Sequence, residues 1–203
     1  MSSSVGRERK QRTGLIEDDA THSSALLILD MISCWSFPDA GPLLRAALDV
    51  APVIARLKSR CVAAGVPVIY ANDNSGQWRS DFKFVVRESS ESAGAGALIT
   101  RLLEPSDHDY FVLKPKHSAF FATPLEILLD HLRTKRLIIA GVAADQCVVN
   151  TAADARMRDF EVVVPTDCIA SQTPARTRRA VAQLREGLCV QSVRARAIRL
   201  SRR

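Results

Sequence analysis

The sequence predicts an α/β domain with three layers, α/β/α, around an open, mostly parallel six-stranded sheet. Short apolar runs alternate with longer amphipathic segments along nearly the whole chain, the pattern of stacked βα units. Several of the apolar runs are followed at once by residues able to do chemistry, and sheets of this kind bind ligands at the carboxyl ends of their strands. No linker or internal repeat divides the 203 residues, a length suited to one core.

Each element can be assigned in order. Ala25–Asp30 (ALLILD) is an apolar run closed by an acid, and reads as the first buried strand. Leu43–Ala64 has helical periodicity and ends at Gly65, with Pro67 beyond it, a standard helix stop. Val66–Ala71 is the second strand and Asn72–Gly76 the loop after it. Ser92–Leu103 reads as a short helix weakened by Gly94 and Gly96, and Tyr110–Leu113 as a third strand interrupted by Pro115. Pro124–Arg133 is a helix opened by proline. Leu137–Val142 is the fourth strand and feeds a helix over Asp145–Arg158. Glu161–Pro165, Pro174–Glu186 and Leu188–Val193 complete the order as strand, helix and sixth strand. Residues 1–20 are polar and aperiodic and read as a disordered basic leader, leaving residues 21–203 as the single domain.

Composition narrows the function. A hydrophobic share of 47% with 25% charged residues is that of a soluble protein. No apolar run approaches the roughly 18 residues that span a bilayer, and no apolar stretch follows the basic start, so no secretory signal is expected. A cytoplasmic address follows, with no membrane partner. The formal charge of +6 gathers at the ends, in Arg7, Arg9, Lys10 and Arg12 and in Arg194, Arg196, Arg199, Arg202 and Arg203. Without a nucleic-acid motif beside them these read as solvated tails, so no nucleic acid is expected. Five widely spaced cysteines with no CxxC pair read as reduced thiols.

Three strand ends carry candidate reactive groups: Asp30 after the first strand, Lys116 after the third, and Cys147 past the fourth. With Asp145 as cap, Cys147 falls in the first turn of its helix, where free N–H groups and the helix dipole favour an anion. A thiolate is the nucleophilic form of cysteine, a lysine ammonium would lower the thiol pKa further, and a carboxylate can carry the proton.

The segments LLILDM (26–31), GVPVIYANDN (65–74), VLKPKHSAFFATPL (112–125), GVAADQCVVNTAADA (141–155) and EVVVPTDCIAS (161–171) together resemble the isochorismatase-like cysteine hydrolases, the superfamily of nicotinamidase, N-carbamoylsarcosine amidase and ureidoacrylate amidohydrolase. The resemblance covers about residues 24–190. It implies a Rossmann-like six-stranded parallel sheet and a catalytic aspartate, lysine and cysteine, which fall on Asp30, Lys116 and Cys147. It further implies a cis peptide between Val142 and Ala143, and an oxyanion hole from the Ala143 and Cys147 N–H groups. The implied activity is cleavage of an amide, carbamoyl or ureide C–N bond of a small molecule through a thioester. A homo-oligomer is also implied by the resemblance.

The chain departs from the family pattern at three places. Asp30 is followed by MISCWSF where relatives often read QNDF after DM. The loop after the second strand reads Asn72-Asp73-Asn74, without the histidine of the nicotinamidase metal site, and His22, His108, His117 and His131 have no ligand spacing. No metal and no cofactor are therefore expected. Ala144 stands where threonine is common. Candidate substrate-binding residues are Phe37, Asn72, Asn74, Trp78, Phe120 and Phe121. The alternatives are isochorismatase-type vinyl ether hydrolysis, which does not need a thiol, and a non-catalytic scaffold that kept the fold.

Overall fold

The computed structural model describes residues 24–73, 81–92 and 94–200. The expected leader (residues 1–20), Asn74 and Trp78 lie outside the described residues.

Strand β1 (Ser24–Leu29) shows why the sheet needs cover on both faces. Ala25 through Leu29 are all fully buried, and side chains alternate across a strand. Leu26 and Ile28 enter one apolar cluster while Leu27 and Leu29 enter the other. Helices α1 (Ala40–Ala63), α2 (Phe82–Glu91) and α3 (Ala95–Leu102) contribute to the first layer. Helices α4 (Leu125–His131), α5 (Val149–Met157) and α6 (Pro174–Ala182) contribute to the second.

The other strands are β2 (Val68–Asp73), β3 (Tyr110–Lys114), β4 (Arg136–Val142), β5 (Glu161–Pro165), β6 (Ile169–Ala170) and β7 (Gln191–Val193). Their order is β3-β2-β1-β4-β5-β7, with β6 pairing β4, and each of these pairings is parallel. From β1 the chain moves outward to β2 and β3, and from β4 it moves the other way. The crevice between the ends of β1 and β4 is thus the switch point where such sheets hold ligands.

The three-layer architecture matches the expectation, with seven strands among the described residues in place of six. The extra strand is the two-residue β6, which extends the sheet beside Gly141 and Val142; so short a run carries no periodicity to read. The helix expected over Ser92–Leu103 is α3, which begins after Gly94, whose φ is 134°; α2, which ends before Ser92, was not expected. Helix α2 starts at a side-chain cap, the Asp81 carboxylate accepting from the Phe84 N–H. Gly96 has a packing reason: a Cβ there would lie 2.4 Å from Cδ1 of Trp35.

Gly141 holds the two central strands together at the crevice. Its φ is 113°, and a Cβ would come within 2.1 Å of the Leu29 carbonyl oxygen. Gly141→Ala is expected to cost at least ~3 kcal/mol of folding free energy, because both the dihedral and the contact are with backbone that cannot move aside. A denaturant titration checks this; a midpoint equal to wild type would contradict it.

Candidate active site

Asp30 directly follows β1 and adopts a left-handed conformation, φ 52°, which aspartate tolerates better than most residues. Its backbone N–H donates to the Ala71 carbonyl at 3.0 Å. Its Oδ1 accepts from the Asp73 N–H at 2.9 Å, and its Oδ2 meets Lys114 Nζ at 2.9 Å.

Lys114 is the last residue of β3, paired in register with Asp73. Strands lie about 4.8 Å apart, and β2 stands between β3 and β1. Only a long side chain can cross that width. The Lys114 side chain is 1% exposed, and its three N–H directions are all accounted for: Asp30 Oδ2, the Lys116 carbonyl at 3.2 Å and Cys147 Sγ at 3.5 Å.

Cys147 sits in a π-turn, Ala144–Val148, that opens α5. The peptide bond before this turn, Val142–Ala143, is cis. The Ala143 carbonyl accepts from Gln146 at 3.1 Å and from Val148 at 3.2 Å, the residues on either side of Cys147. Asp145 fixes the turn from outside. Its carboxylate accepts from Ser171 Oγ at 2.6 Å and Arg176 Nε at 2.5 Å, and its N–H donates to Ser171 Oγ at 3.2 Å. Single-turn π segments of this kind occur disproportionately at functional sites.

The electrostatics correct one expectation. The helix mouth and a neighbouring ammonium predicted a depressed thiol pKa. The thiol is instead pushed up to about 12, first by burial and then by the Asp30 carboxylate, with Lys114 pulling the other way. Burial also raises the Asp30 carboxyl, against the opposing pull of the Lys114 charge. For Lys114, burial favours the neutral amine, but the Asp30 and Cys147 charges outweigh it and raise its pKa, keeping it an ammonium. At rest the group is an Asp30–Lys114 ion pair beside a protonated Cys147.

The lysine of the expected set is also corrected. Lys116 is exposed, and only its backbone carbonyl reaches the site. The strand runs one residue further than Leu113, so the buried position at its end belongs to Lys114, and Pro115 then turns the chain outward.

An Isochorismatase domain model matches residues 24–195. The chain belongs to the isochorismatase family. It is 40% identical to an uncharacterized isochorismatase family protein, YaaI of Bacillus subtilis (strain 168), over 73% of this chain and 81% of that protein. It is 26% identical to N-carbamoylsarcosine amidase of an Arthrobacter species, over 74% of this chain but 60% of the amidase. Among solved structures, an isochorismatase family protein from Desulfovibrio vulgaris superposes with a TM-score of 0.69 at 25% identity, covering 87% of this chain and 96% of that one. The protein is thus an isochorismatase-like hydrolase.

Within this isochorismatase-family site, the remaining candidates divide. Asn72 is buried, its amide nitrogen donating to the Ile32 carbonyl at 2.6 Å, while its Oδ1 has no hydrogen-bond partner among the described residues. Phe120 is buried against Phe160, ring centroids 6.0 Å apart, with the Arg158 guanidinium 4.8 Å from its own; it packs in the helix layer. Phe37 and Phe121 are exposed, Phe37 tilted against Trp35 at 6.2 Å. The unusual MISCWSF segment has a structural account: Met31, Ile32 and Trp35 are buried in the first core cluster.

One residue near Cys147 was missed. His117 Nδ1 lies 3.7 Å from Cys147 Sγ. The signal was its place three residues after Lys114 in KPKHSAF, but a search for metal-ligand spacing passes over a histidine acting alone. Among the described residues, no group of three or more His, Cys, Asp or Glu gathers as a metal site, and no helix is long and apolar enough to cross a membrane.

Proposed function

We propose that this isochorismatase-family protein hydrolyses the C–N bond of a small amide, carbamoyl compound or ureide through a thioester on Cys147. The observation that carries the reading is the convergence of the Asp30–Lys114 ion pair on Cys147 Sγ at the switch point of the sheet.

The raised thiol pKa sets the order of events. As the sulfur attacks the carbonyl carbon, its S–H bond breaks and the proton passes to Asp30. The Lys114 ammonium, already within 3.5 Å, offsets the charge on sulfur. The substrate oxygen becomes an oxyanion held by the Ala143 and Cys147 N–H groups. Asp30 then gives its proton to the departing nitrogen, the C–N bond breaks, and a thioester remains. Water takes the amine's place and loses a proton to Asp30 while its oxygen adds to the thioester carbon. The C–S bond breaks, the acid leaves, and the sulfur recovers its proton from Asp30. The amidase named among the relatives supports a C–N bond as the target. A cysteine at the nucleophile position speaks against the vinyl ether route, which does not need a thiol.

A panel of small amides, carbamoyl compounds and ureides, assayed for ammonia or amine release, tests the reading. Acid quenching during turnover should trap an added acyl mass on the peptide that contains Cys147. Turnover with no such adduct, or an adduct on another cysteine, would reject the thioester.

A further inference from the structure

We propose that His117 is a further catalytic residue of this site, its imidazole Nδ1–H donating to Cys147 Sγ whenever the sulfur carries negative charge. The proposal rests on the reading of Cys147 as nucleophile and adds a group that the aspartate, lysine and cysteine set does not contain.

Little holds the sulfur. Lys114 shares its three N–H groups among Asp30, the Lys116 carbonyl and Sγ, and the contact to sulfur is the longest, 3.5 Å against 2.9 Å and 3.2 Å. Its charge is largely balanced by the Asp30 carboxylate as well. Cys147 is 7% exposed, and burial is the first cause of its reluctant ionisation. A thiolate here needs a second donor, and sulfur can accept more than one. Charged groups meet Sγ from the ends of two strands, Asp30 after β1 and Lys114 in β3. The exposed His117 ring reaches Sγ from the loop after β3.

That loop is held in place rather than free to swing. The Ala119 N–H donates to Thr151 Oγ1 at 3.0 Å, and Ser118 Oγ hydrogen-bonds Asp154. Both partners lie on α5, the helix that carries Cys147 at its opening. The backbone flanking His117 is therefore tied to the same helix as the nucleophile, so the 3.7 Å approach is built into the fold. Which ring nitrogen bears the proton follows from the partner of each, and the proposal assigns it to Nδ1.

No proton leaves the imidazole. In acylation the S–H proton goes to Asp30, the S–C bond forms, and the Nδ1–H tracks the charge on sulfur. In thioester hydrolysis the C–S bond breaks with its electron pair on sulfur, the Nδ1–H again accepts part of that charge, and Asp30 returns the proton. A hydrogen bond to a charged group of this kind is worth about tenfold or more in the population of the ion.

Alkylation of Cys147 by iodoacetamide, followed by peptide mass spectrometry at pH 8, tests this without a known substrate. His117→Ala is expected to alkylate at Cys147 about tenfold more slowly than wild type. His117→Asn, whose amide N–H can stand near the position of Nδ1, should recover most of the rate. Lys116→Ala, changing the exposed neighbour, should leave the rate unaltered. All three should melt with wild type, since residues 116 and 117 are exposed. An alanine variant within about twofold of wild type, or an asparagine variant as slow as alanine, overturns the proposal. If wild type forms its acyl-enzyme on Cys147 and the alanine variant still alkylates at full rate, the role of His117 alone falls. If no acyl-enzyme forms on Cys147, both readings fall.

Discussion

Cys147→Ala is expected to lower turnover of the preferred amide by at least ~10⁴-fold with the fold intact, as removal of a covalent nucleophile does in other hydrolases. Alanine leaves the π-turn and its N–H groups in place, because the turn is held by Ala143, Asp145, Ser171 and Arg176 rather than by the sulfur. Binding should therefore survive while chemistry stops. Steady-state amine release, read beside a thermal melt and a substrate-binding isotherm, separates the two. A variant that keeps more than a tenth of the wild-type rate would show that water attacks directly, with the site acting only as a polar cradle.

Lys114→Met should lose ~10³-fold in kcat/KM, whereas Lys116→Gln should stay within about twofold of wild type. Methionine fills nearly the same buried volume without charge. Removing one partner of a buried ion pair leaves the other charge uncompensated, at a cost of about 3–5 kcal/mol, moderated here because the Asp30 side chain is 17% exposed and keeps the Asp73 N–H. Some stability is therefore lost as well, and kcat/KM is read well below the melting temperature of the variant so that the catalytic loss is measured on folded protein. The glutamine variant alters a solvated side chain whose backbone carbonyl, the only part that meets Lys114, is unchanged. Equal losses at both positions, or a greater loss at Lys116, would reverse the assignment made from the geometry.

Where the sequence succeeded and failed has a physical explanation at each residue. The Ala25–Leu29 run is buried on both faces, so its unbroken apolarity points to a central parallel strand without any tertiary knowledge. The long first helix is equally plain, because Gly65 and Pro67 mark its end. Cys147 was legible as a residue at a helix opening. Its protonation was not, because that depends on burial and on Asp30, which comes from a strand more than a hundred residues earlier. The lysine was misread by two residues. Lys114 and Lys116 flank one proline, and choosing between them requires knowing that β3 continues opposite Asp73. Polarity and size alone singled out Phe120 and Asn72, and they do not reveal that Phe120 meets Phe160 and Arg158 or that the Asn72 amide nitrogen donates to Ile32.

The position of Lys114 on β3, the outermost strand on its side of the sheet, makes the enzyme its own folding gauge. Successive strand residues point to opposite faces, so sliding β3 by a single position would swing the ammonium away from the crevice and aim a leucine or a proline toward it. Specific activity per mole of protein therefore measures the fraction of molecules whose border strand has annealed in correct alignment, and it should drop before any loss of overall secondary structure when that border is loosened.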